Sequence, residues 1–305
     1  MKILVLGGNG FIGSHIVDQL LGKGHAVRIF DRSANRWQPP HSQVDYFIGD
    51  FSDAPMLAEA MQGVDAVVHS ISTTVPSTSN LDPIADIQSN LVNSVHLMQM
   101  MAMAGVKRLV FISSGGTVYG VPQQLPVAET HPLNPICSYG VVKLAIEKYM
   151  GMFEYLHGTQ TLILRASNPF GSRQGHGGVQ GAVATFMQKI MAGEKITIWG
   201  DGSVRRDYIY VTDLADLCCK AVASEETGVF NAGYGQGYTL NELIVAIEGV
   251  VERKAIVDYV QARKFDVQDI VLDIHKARQV FNWVPQVTFE QGLALHHAWL
   301  SNSAQ

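Results

Sequence analysis

The most constraining feature of this sequence is the stretch GGNGFIG, which directly follows the apolar run KILVL at the N-terminus. It places Gly7, Gly10 and Gly13 between a predicted strand and a predicted helix. The first glycine lets the chain reverse sharply, the second lets the backbone approach a pyrophosphate, and the third lets helix and strand pack closely. Glycine trios are common in loops, but the strand–turn–helix context favours a dinucleotide-binding fold.

A carboxylate ends the second predicted strand, where Asp31 follows the run AVRIF. A carboxylate at this position accepts hydrogen bonds from both ribose hydroxyls of adenosine and repels a 2′-phosphate. The sequence therefore favours NAD over NADP as cofactor. Arg32, directly after Asp31, is in a position to shield such a phosphate, which weakens the preference.

Strand-like and helix-like segments alternate along the first half of the chain. Short apolar strands separated by helices predict an α/β fold with a Rossmann-like, doubly wound parallel sheet. Continuous apolarity within the strands indicates burial on both faces. The predicted strands are 2–7, 26–30, 44–49, 65–70, 108–114 and 161–167, and the predicted helices are 11–22, 54–62, 84–104 and 139–156.

The composition of the sequence changes after Ser167, where the polar, glycine-rich stretch NPFGSRQGHGGVQG is typical of a loop. We predict that residues 1–167 form an NAD-binding Rossmann domain to which 212–231 returns. Residues 168–211 and 232–305 then form mainly a smaller C-terminal α/β lobe. This lobe is expected to cover the carboxyl ends of the strands, where such sheets bind ligands.

Composition excludes several classes of protein. The net charge of −5 comes without the clustered Lys and Arg of a nucleic-acid footprint. No apolar run approaches the length of a membrane span, and no secretory signal pattern is present. The 3 cysteines form neither a disulfide framework nor a zinc spacing, and the 11 histidines are scattered. We expect a cytoplasmic protein without a metal, nucleic-acid or membrane partner.

The stretch SYGVVK places Tyr139 and Lys143 on one face of a predicted helix. A phenol with a pKa near 10 is a poor base at neutral pH. A nearby ammonium group and the positive nicotinamide of NAD⁺ both favour the phenolate. Such a tyrosine removes a proton from an alcohol while hydride leaves for the cofactor. The spacing also arises by chance on surface helices, but the glycine loop and Asp31 favour catalysis here.

Together these motifs resemble the extended short-chain dehydrogenase/reductase family, and within it the NAD-dependent nucleotide-sugar epimerases and dehydratases. The resemblance covers nearly the whole chain. It implies a role in nucleotide-sugar metabolism such as polysaccharide biosynthesis, and a homodimer paired through helices 84–104 and 139–156. The motifs that carry it are GGNGFIG, FDR, the Asn90 helix, SSGGTVYG, SYGVVK, RASNPFG, ITIWGDGSVRRDYIYVTDLA, FNAG and LDIHKARQVFNW.

The candidate cofactor site extends beyond the glycine loop. Asp50 and Phe51 follow the third predicted strand, where they are candidates to flank the adenine ring. For Phe51 an ordinary turn leading into a helix capped at Asp53 is an equal alternative. The full set of cofactor-binding candidates is Gly7, Gly10, Phe11, Ile12, Gly13, Asp31, Arg32, Asp50, Phe51, Ser70, Asn90, Ser113, Tyr139 and Lys143.

The resemblance also implies residues for the diphosphate of a sugar nucleotide. Asn168 is expected to contact it, and Arg206 and Arg263 are expected to hold its phosphates. Arginine suits this role because its planar fork gives paired, charge-assisted hydrogen bonds. The alternative for the two arginines is a surface salt bridge with Asp207 or Asp266.

The remaining substrate candidates face the base and the sugar. Ile198, within ITIW, is expected to lie along the uracil. Ile270, four residues after the further candidate Asp266, lies where related epimerases vary a side chain near C2 of the sugar. Thr73 and Thr74 are expected to line the sugar pocket, with ordinary turn positions as the alternative.

The stretch SSGGTVYG discriminates between the chemistries of the family. Many members carry Ser or Thr four residues before the Tyr of the YG pair, where its hydroxyl relays a proton; here that position is Gly115. Dehydratases have Asp-Glu at the next two positions, and decarboxylating synthases have Glu at the second. Here Gly116 and Thr117 stand there, so elimination and decarboxylation lack their catalyst. Thr117 resembles the threonine that 4-epimerases of the family carry at this point, and this resemblance favours epimerisation at C4.

Another group has to replace the missing hydroxyl. Ser113, Gly115 and Thr117 share one face if the alternation of the strand persists. We predict on this basis that Thr117 contacts the substrate, unless it merely packs within the loop. The alternatives are Ser114 in a strand twisted out of register, a bound water, or direct contact between Tyr139 and the sugar hydroxyl.

The predicted reaction is NAD-dependent epimerisation of a UDP-sugar at C4 through a 4-keto intermediate. The substrate is of the UDP-glucose/UDP-galactose type or its N-acetylated form. A UDP-hexuronate epimerase, or another NAD-dependent sugar-nucleotide dehydratase or reductase, is the nearest alternative. A non-catalytic dinucleotide sensor on the same fold is an alternative of another class.

Overall fold

The molecule is built around a large parallel sheet accompanied by two smaller ones. The computed structural model describes residues 1–174, 181–261 and 267–303. Its strands are β1 (Lys2–Leu6), β2 (Ala26–Asp31), β3 (Val44–Ile48), β4 (Ala66–His69), β5 (Arg108–Ser114), β6 (Gln160–Ala166), β7 (Asn168–Phe170), β8 (Lys195–Trp199), β9 (Arg205–Tyr210), β10 (Gly228–Ala232), β11 (Gly237–Thr239), β12 (Ile256–Val260) and β13 (Asp269–Ile270).

Helices connect these strands. They are α1 (Phe11–Gly22), α2 (Ala54–Ala60), α3 (Pro83–Asp86), a π-helix (Ile87–Val92), α4 (Asn93–Ala104), α5 (Ser138–His157), α6 (Ala182–Ala192), α7 (Val211–Ala223), α8 (Leu240–Val251), α9 (His275–Phe281) and α10 (Phe289–Ser303). Within the described ranges, no helix is both long and apolar enough to cross a membrane.

The large sheet has seven strands in the order β10-β6-β5-β4-β1-β2-β3, and every neighbouring pair is parallel. Its strands alternate between two cores. Ile3 and Val5 of β1 face a core shared with α1, α7 and α9, whereas Leu4 and Leu6 face a core shared with α2, α4 and α5. Burial of both faces explains the continuous apolarity of the strands. The predicted doubly wound sheet is confirmed.

The order of the strands reverses between β1 and β4, which places a crevice at the carboxyl ends of these two strands. Parallel sheets bind ligands at such a switch point. The two smaller sheets come from the second half of the chain. One has the order β11-β9-β13 with β7 beside β9, and the other pairs β12 with β8.

The predicted helix 84–104 is interrupted, which corrects the sequence interpretation. A π-helix separates α3 from α4, and it contains the buried Asn90. The side-chain oxygen of Asn90 accepts a hydrogen bond from the Thr73 N–H at 2.9 Å, and its nitrogen donates to the Thr73 hydroxyl at 2.7 Å. The wider turn of the π-helix therefore directs the Asn90 side chain towards the loop after β4. Such π-turns occur frequently at functional sites.

Candidate active site

The glycine loop joins β1 to α1 at the switch point. Gly7 has φ 79°, a conformation that L-residues rarely adopt. A Cβ at Gly13 would lie 2.7 Å from the carbonyl carbon of Gly7 and closer still to its oxygen, so α1 packs against the loop backbone. Gly10 caps α1, and the first turn carries no acidic residue. The loop therefore presents backbone N–H groups that suit a phosphate.

Asp31 ends β2 beside this loop and is 8% exposed. Its carboxylate accepts hydrogen bonds from the N–H of Asn9 at 3.0 Å and from the N–H of Ser33 at 3.1 Å. The Ser33 hydroxyl makes a third, longer contact with this carboxylate at 3.4 Å. A carboxylate accepts about four hydrogen bonds, so an acceptor position remains for the adenosine ribose. Arg32 lies exposed directly after it. The buried oxygen Oδ1 of Asn9 has no partner among the described residues.

Other cofactor candidates surround the loop. Phe11 and Ile12 are half-buried in the first turn of α1. The hydroxyl of Ser70 donates to the carbonyl of Leu6 at 2.7 Å, at the end of β1. A Cβ at Gly7 would lie 3.1 Å from this hydroxyl. Ser70 therefore supports the loop from the neighbouring strand.

The residues after β3 have the structure of the alternative given for Phe51, an ordinary turn that leads into a helix capped at Asp53. Its ring is 7% exposed and packs 5.2 Å from the ring of His69, within the core. Asp50 accepts hydrogen bonds from the N–H and hydroxyl of Ser52, and Asp53 caps α2. A buried ring is not free to stack on adenine, so the turn leading into a capped helix describes this segment.

Two further candidates have internal partners. The hydroxyl of Ser113 donates to Glu147 Oε1 at 2.5 Å, and Ser113 is 3% exposed. The carboxylate of Glu147 is also paired with Arg165 at 2.7 Å. The amide of Asn90 is occupied by Thr73 and Asp86. Cofactor contacts for Ser113 and Asn90 stay predictions, and in the structure both residues hold the framework together.

Tyr139 and Lys143 lie on one face of α5, one turn apart. The Nζ atom of Lys143 donates to the carbonyl of Ile112 in β5 at 3.0 Å and lies 5.6 Å from the centre of the Tyr139 ring. It also lies 4.6 Å above the ring of Phe111. The pair is therefore fixed against the carboxyl end of β5, next to the switch point.

Burial governs the titration of this pair. It raises the pKa of Tyr139 to about 12, and hydrogen bonding with the side chains of Ser72 and Ser114 opposes this rise. It lowers the pKa of Lys143 to about 8, against the opposing charges of Glu147 and Asp86. The side chains of Ser72 and Ser114 thus favour the ionised form of the nearby Tyr139 phenol, whereas the charge of Asp86 opposes it.

The alternation on which the prediction for Thr117 depends does not persist. β5 ends at Ser114, and a turn follows in which the N–H of Thr117 donates to the Ser114 carbonyl at 3.3 Å. The Thr117 hydroxyl oxygen is buried and has no partner among the described residues. Ser113, Gly115 and Thr117 therefore do not form one face, and Ser114 is the hydroxyl of this segment beside Tyr139.

A cavity of about 320 Å³ lies among β7, β8, β9 and α6. Asn168, Ile198 and Arg206, three of the predicted substrate residues, line it together with aromatic side chains that include Phe186, Trp199 and Tyr208. Asp207 does not point the same way, because its buried carboxylate accepts backbone N–H groups of Tyr234, Gly235 and Leu272. Along the chain, the first residue that lines the cavity is Asn168, two residues after the end of β6. β6 lies next to β5 in the large sheet.

The other substrate candidates have different surroundings. Arg263 and Asp266 lie outside the described residues. Ile270 is 1% exposed, pairs with Arg206 in the β13–β9 ladder, and packs in a cluster with Tyr119 and Leu272. Thr73 and Thr74 lie in the loop after β4, where their hydroxyls bond Asn90, Ser89 and Asp86. Within the described part of the chain no group of His, Cys, Asp or Glu is suited to a metal ion.

Comparison with known proteins identifies the family. Residues 3–233 match the model of the NAD dependent epimerase/dehydratase family. The chain belongs to this family. It is 34% identical over 313 residues to the UDP-glucose 4-epimerase of Mycolicibacterium smegmatis, covering 100% of both chains. The predicted resemblance is confirmed.

Solved structures of related enzymes share the whole fold. The UDP-glucose 4-epimerase from Thermotoga maritima, solved with UDP-glucose, matches with a TM-score of 0.95 and 32% identity over 100% of both chains. The UDP-N-acetylglucosamine 4-epimerase from Methanobrevibacter ruminantium M1, solved in complex with UDP-N-acetylmuramic acid, matches with a TM-score of 0.93 and 29% identity, covering 99% of this chain and 98% of that chain.

The structure explains why position 115 is occupied by glycine in this chain. A Cβ there would lie 2.6 Å from Leu272 Cδ1 and 3.0 Å from the carbonyl oxygen of Arg165. Leu272 is 1% exposed and belongs to the cluster with Val118 and Tyr119. The leucine therefore occupies the space that a side chain at 115 would need.

We expect Gly115→Ser to destabilise the protein by about 1–3 kcal/mol, the usual cost of overpacking a buried site. Chemical denaturation measures this directly. Leu272→Ala in the same chain should offset part of the loss, because the two changes act on one space. Strict additivity of the two single changes would contradict this account of Gly115.

Sequence reasoning missed several residues of the site. Glu147 follows Lys143 by one helical turn, a spacing that is visible in the sequence and was available as a signal. Ser72 and Asp86 gave no such signal, because their contacts with α5 join positions distant in the chain. Leu272 likewise reaches Gly115 only through the fold.

Proposed function

We propose that this protein is an NAD-dependent UDP-sugar 4-epimerase. The observation that carries the proposal is the Tyr139–Lys143 pair, fixed at the carboxyl end of β5 between a dinucleotide-type glycine loop and a cavity lined by Asn168 and Arg206. Full-length similarity to UDP-glucose 4-epimerases supports it. Gly116 and Thr117 place no acid in this segment for elimination or decarboxylation.

The residues present fit NAD. The glycine loop offers N–H groups for a pyrophosphate, and the oriented Asp31 carboxylate suits the adenosine ribose and disfavours a 2′-phosphate. The orphaned Oδ1 of Asn9 provides a further acceptor at this edge. When bound, NAD⁺ supplies the acceptor for a hydride and returns that hydride.

The catalytic work of the protein is proton transfer. Tyr139 accepts the proton of the sugar 4-hydroxyl as hydride leaves C4, and it later returns a proton to the 4-keto oxygen when hydride is delivered to the opposite face of C4. Lys143, held by the Ile112 carbonyl, provides a positive charge beside the phenol. The low-dielectric surroundings that raise the pKa of Tyr139 to about 12 also strengthen the electrostatic interaction between the phenol and any charge beside it.

Ser114 is the hydroxyl that we assign to the role vacated at Gly115. We expect Ser114→Ala to lower turnover by about 10²-fold, the lower limit for a lost proton-transfer group. Thr117→Val should stay within a few-fold of the unaltered enzyme, because Ser114 and not Thr117 is the hydroxyl of this segment that acts on the Tyr139 phenol. Steady-state assays of the two variants decide, and the reverse pattern would restore Thr117 to this role.

The second half of the chain is proposed to form the sugar-nucleotide lobe. The cavity between β7, β8 and α6 has apolar walls for a base and the arginine Arg206 for a phosphate. A UDP-hexose of the glucose/galactose series is the preferred substrate, because the Thermotoga relative was solved with UDP-glucose. The N-acetylated series is the second candidate, favoured by the Methanobrevibacter relative.

We also propose a homodimer paired through α4 and α5. Large apolar side chains are exposed on these helices, namely Met103, Met152, Tyr155 and Leu156. Exposed apolar area of this kind marks interaction sites. Sedimentation equilibrium should give twice the mass of one chain, and a monomer would contradict the proposal.

A cytoplasmic location stays a prediction.

The proposed function is tested by purifying the protein and assaying it for co-purified NAD. The protein is then incubated with a panel of UDP-sugars without added cofactor, and the products are followed by NMR. Interconversion of C4 epimers is the expected result. Accumulation of NADH or of a 4-keto-6-deoxy sugar would contradict it, and tight NAD binding without turnover would favour a sensor.

A further inference from the structure

The carboxylate of Asp86 joins three separate parts of the site. Asp86 ends α3 and is 0% exposed. Its Oδ1 accepts hydrogen bonds from the Thr74 hydroxyl at 2.7 Å and from the Asn90 amide at 2.9 Å. Its Oδ2 accepts one from the Ser138 hydroxyl at 2.7 Å. The donors belong to the loop after β4, the π-helix and the first residue of α5, so one carboxylate holds all three together.

The same loop caps the helix that carries Tyr139. Cys137, at the N-cap position of α5, makes no conventional side-chain capping hydrogen bond. Instead the N–H of Ser138 donates to Asn80 Oδ1 at 2.8 Å, and the N–H of Tyr139 donates to the Ser79 hydroxyl at 3.1 Å. A helix start is usually capped by a neighbouring residue in the chain. Here its position depends on a distant loop and on Asp86.

Titratable groups lie around Lys143 on three elements, α3, α5 and β4. Asp86 approaches from α3, Glu147 lies on α5, and both oppose the burial that lowers the pKa of Lys143. His69 lies in β4, where burial lowers its pKa to about 3 and keeps it neutral. The carboxylate of Glu147 also forms an ion pair with Arg165 at 2.7 Å, so its charge is shared between Lys143 and this guanidinium group.

Asp86 differs from Glu147 in the nature of its partners. Its three side-chain donors, the hydroxyls of Thr74 and Ser138 and the amide of Asn90, are all neutral. Hydrogen bonds from neutral donors stabilise the ionised carboxylate without cancelling its charge. The negative charge of Asp86 also stabilises the N-terminal end of α5, where the helix dipole is positive.

We propose that Asp86 is a positioning residue for the reaction. It fixes the start of α5, and with it Tyr139, against the loop that carries Ser72, and it presents a negative charge to Lys143. The inference rests on the proposed function, because it assigns a role toward the same Tyr139–Lys143 pair.

Four variants test the positioning role by kinetics. Asp86→Asn should lower kcat by about 10–100-fold, since small displacements of a reacting group cost this much. Ser138→Ala should lower kcat less, and Ser138→Thr, which keeps the hydroxyl, should restore it. The matched control is Asp82→Asn, because exposed Asp82 caps α3 through the Ala85 N–H and has no bond to α5 among the described residues. Equal kcat in Asp86→Asn, Ser138→Ala and the control would overturn the proposal.

A second readout requires no sugar substrate. Lysine labelled with ¹³C at the ε position allows Lys143 to be titrated by NMR, with its resonance assigned through Lys143→Arg. The titration midpoint should move to lower pH in Asp86→Asn and stay unchanged in Ser138→Ala and Asp82→Asn. If no UDP-sugar is turned over but the midpoint moves, the proposed function fails while the link from Asp86 to Lys143 stands. An unmoved midpoint would overturn that link, and if Asp86→Asn fails to fold, the Ser138→Ala and Ser138→Thr pair decides by kcat.

Discussion

Replacing Tyr139 with Phe is expected to lower turnover by about 10²–10⁴-fold, the range for loss of a general acid–base group. The change removes one oxygen and leaves the ring that lies 5.6 Å from the Lys143 ammonium. The flanking hydroxyls of Ser72 and Ser114 cannot replace the phenol, because aliphatic alcohols are far weaker acids than a phenol. A direct NMR assay of UDP-sugar interconversion measures the loss.

Tyr149→Phe is the matched control for this experiment. Tyr149 lies on the same helix, is 39% exposed, and loses the same atom in the same substitution. We expect its turnover to equal that of the unaltered enzyme. If Tyr139→Phe retains more than about a tenth of the activity, Tyr139 is not the proton-transfer group that this range describes.

Gly13→Ala is expected to have the second large effect, on cofactor binding and on stability. The added Cβ would lie 2.7 Å from the Gly7 carbonyl carbon and 2.9 Å from the Gly8 Cα. These are backbone atoms that no side-chain rotation moves away, so α1 must shift away from the glycine loop. We expect destabilisation at the upper end of the about 1–3 kcal/mol cost of overpacking, together with loss of co-purified NAD.

Gly151→Ala provides the control for the same substitution. Gly151 lies within α5, and a Cβ there would meet nothing within 4 Å. Alanine at an open helical position should stabilise the protein by roughly 0.5–1 kcal/mol relative to glycine. Denaturant titration and cofactor assay of both variants give the comparison. Retention of NAD and stability in Gly13→Ala would contradict the close packing of α1 on the loop.

The parts of the fold that sequence predicts well are those with local causes. The apolar run of β1, the glycine loop and the periodicity of α1 lie within the first 22 residues, and each follows from neighbouring residues. The Tyr139–Lys143 spacing is likewise a property of one helix. Such features need no knowledge of distant contacts, which is why the dinucleotide-binding fold and the candidate Tyr139–Lys143 pair can be predicted from the sequence.

The remaining features depend on contacts that join distant positions. The end of β5 at Ser114 is followed by a hydrogen bond from the Gly115 N–H to the Ala166 carbonyl at 2.8 Å, and a turn then ends the alternation that the prediction for Thr117 assumed. The π-helix forms where Asn90 binds the loop after β4. The bond from Ser138 to Asp86 spans 52 positions. No pattern of neighbouring residues specifies these contacts.

The central claim is that one hydride leaves C4 and returns to the same carbon. The most direct measurement uses a UDP-sugar deuterated at C4, incubated with the purified enzyme without added cofactor and followed by NMR and mass spectrometry. We predict that the epimeric product retains the deuterium at C4, because a hydride carried by a cofactor that stays bound would return to C4 without exchanging with water. Loss of the deuterium to solvent, or product formed without deuterium at C4, would contradict the account.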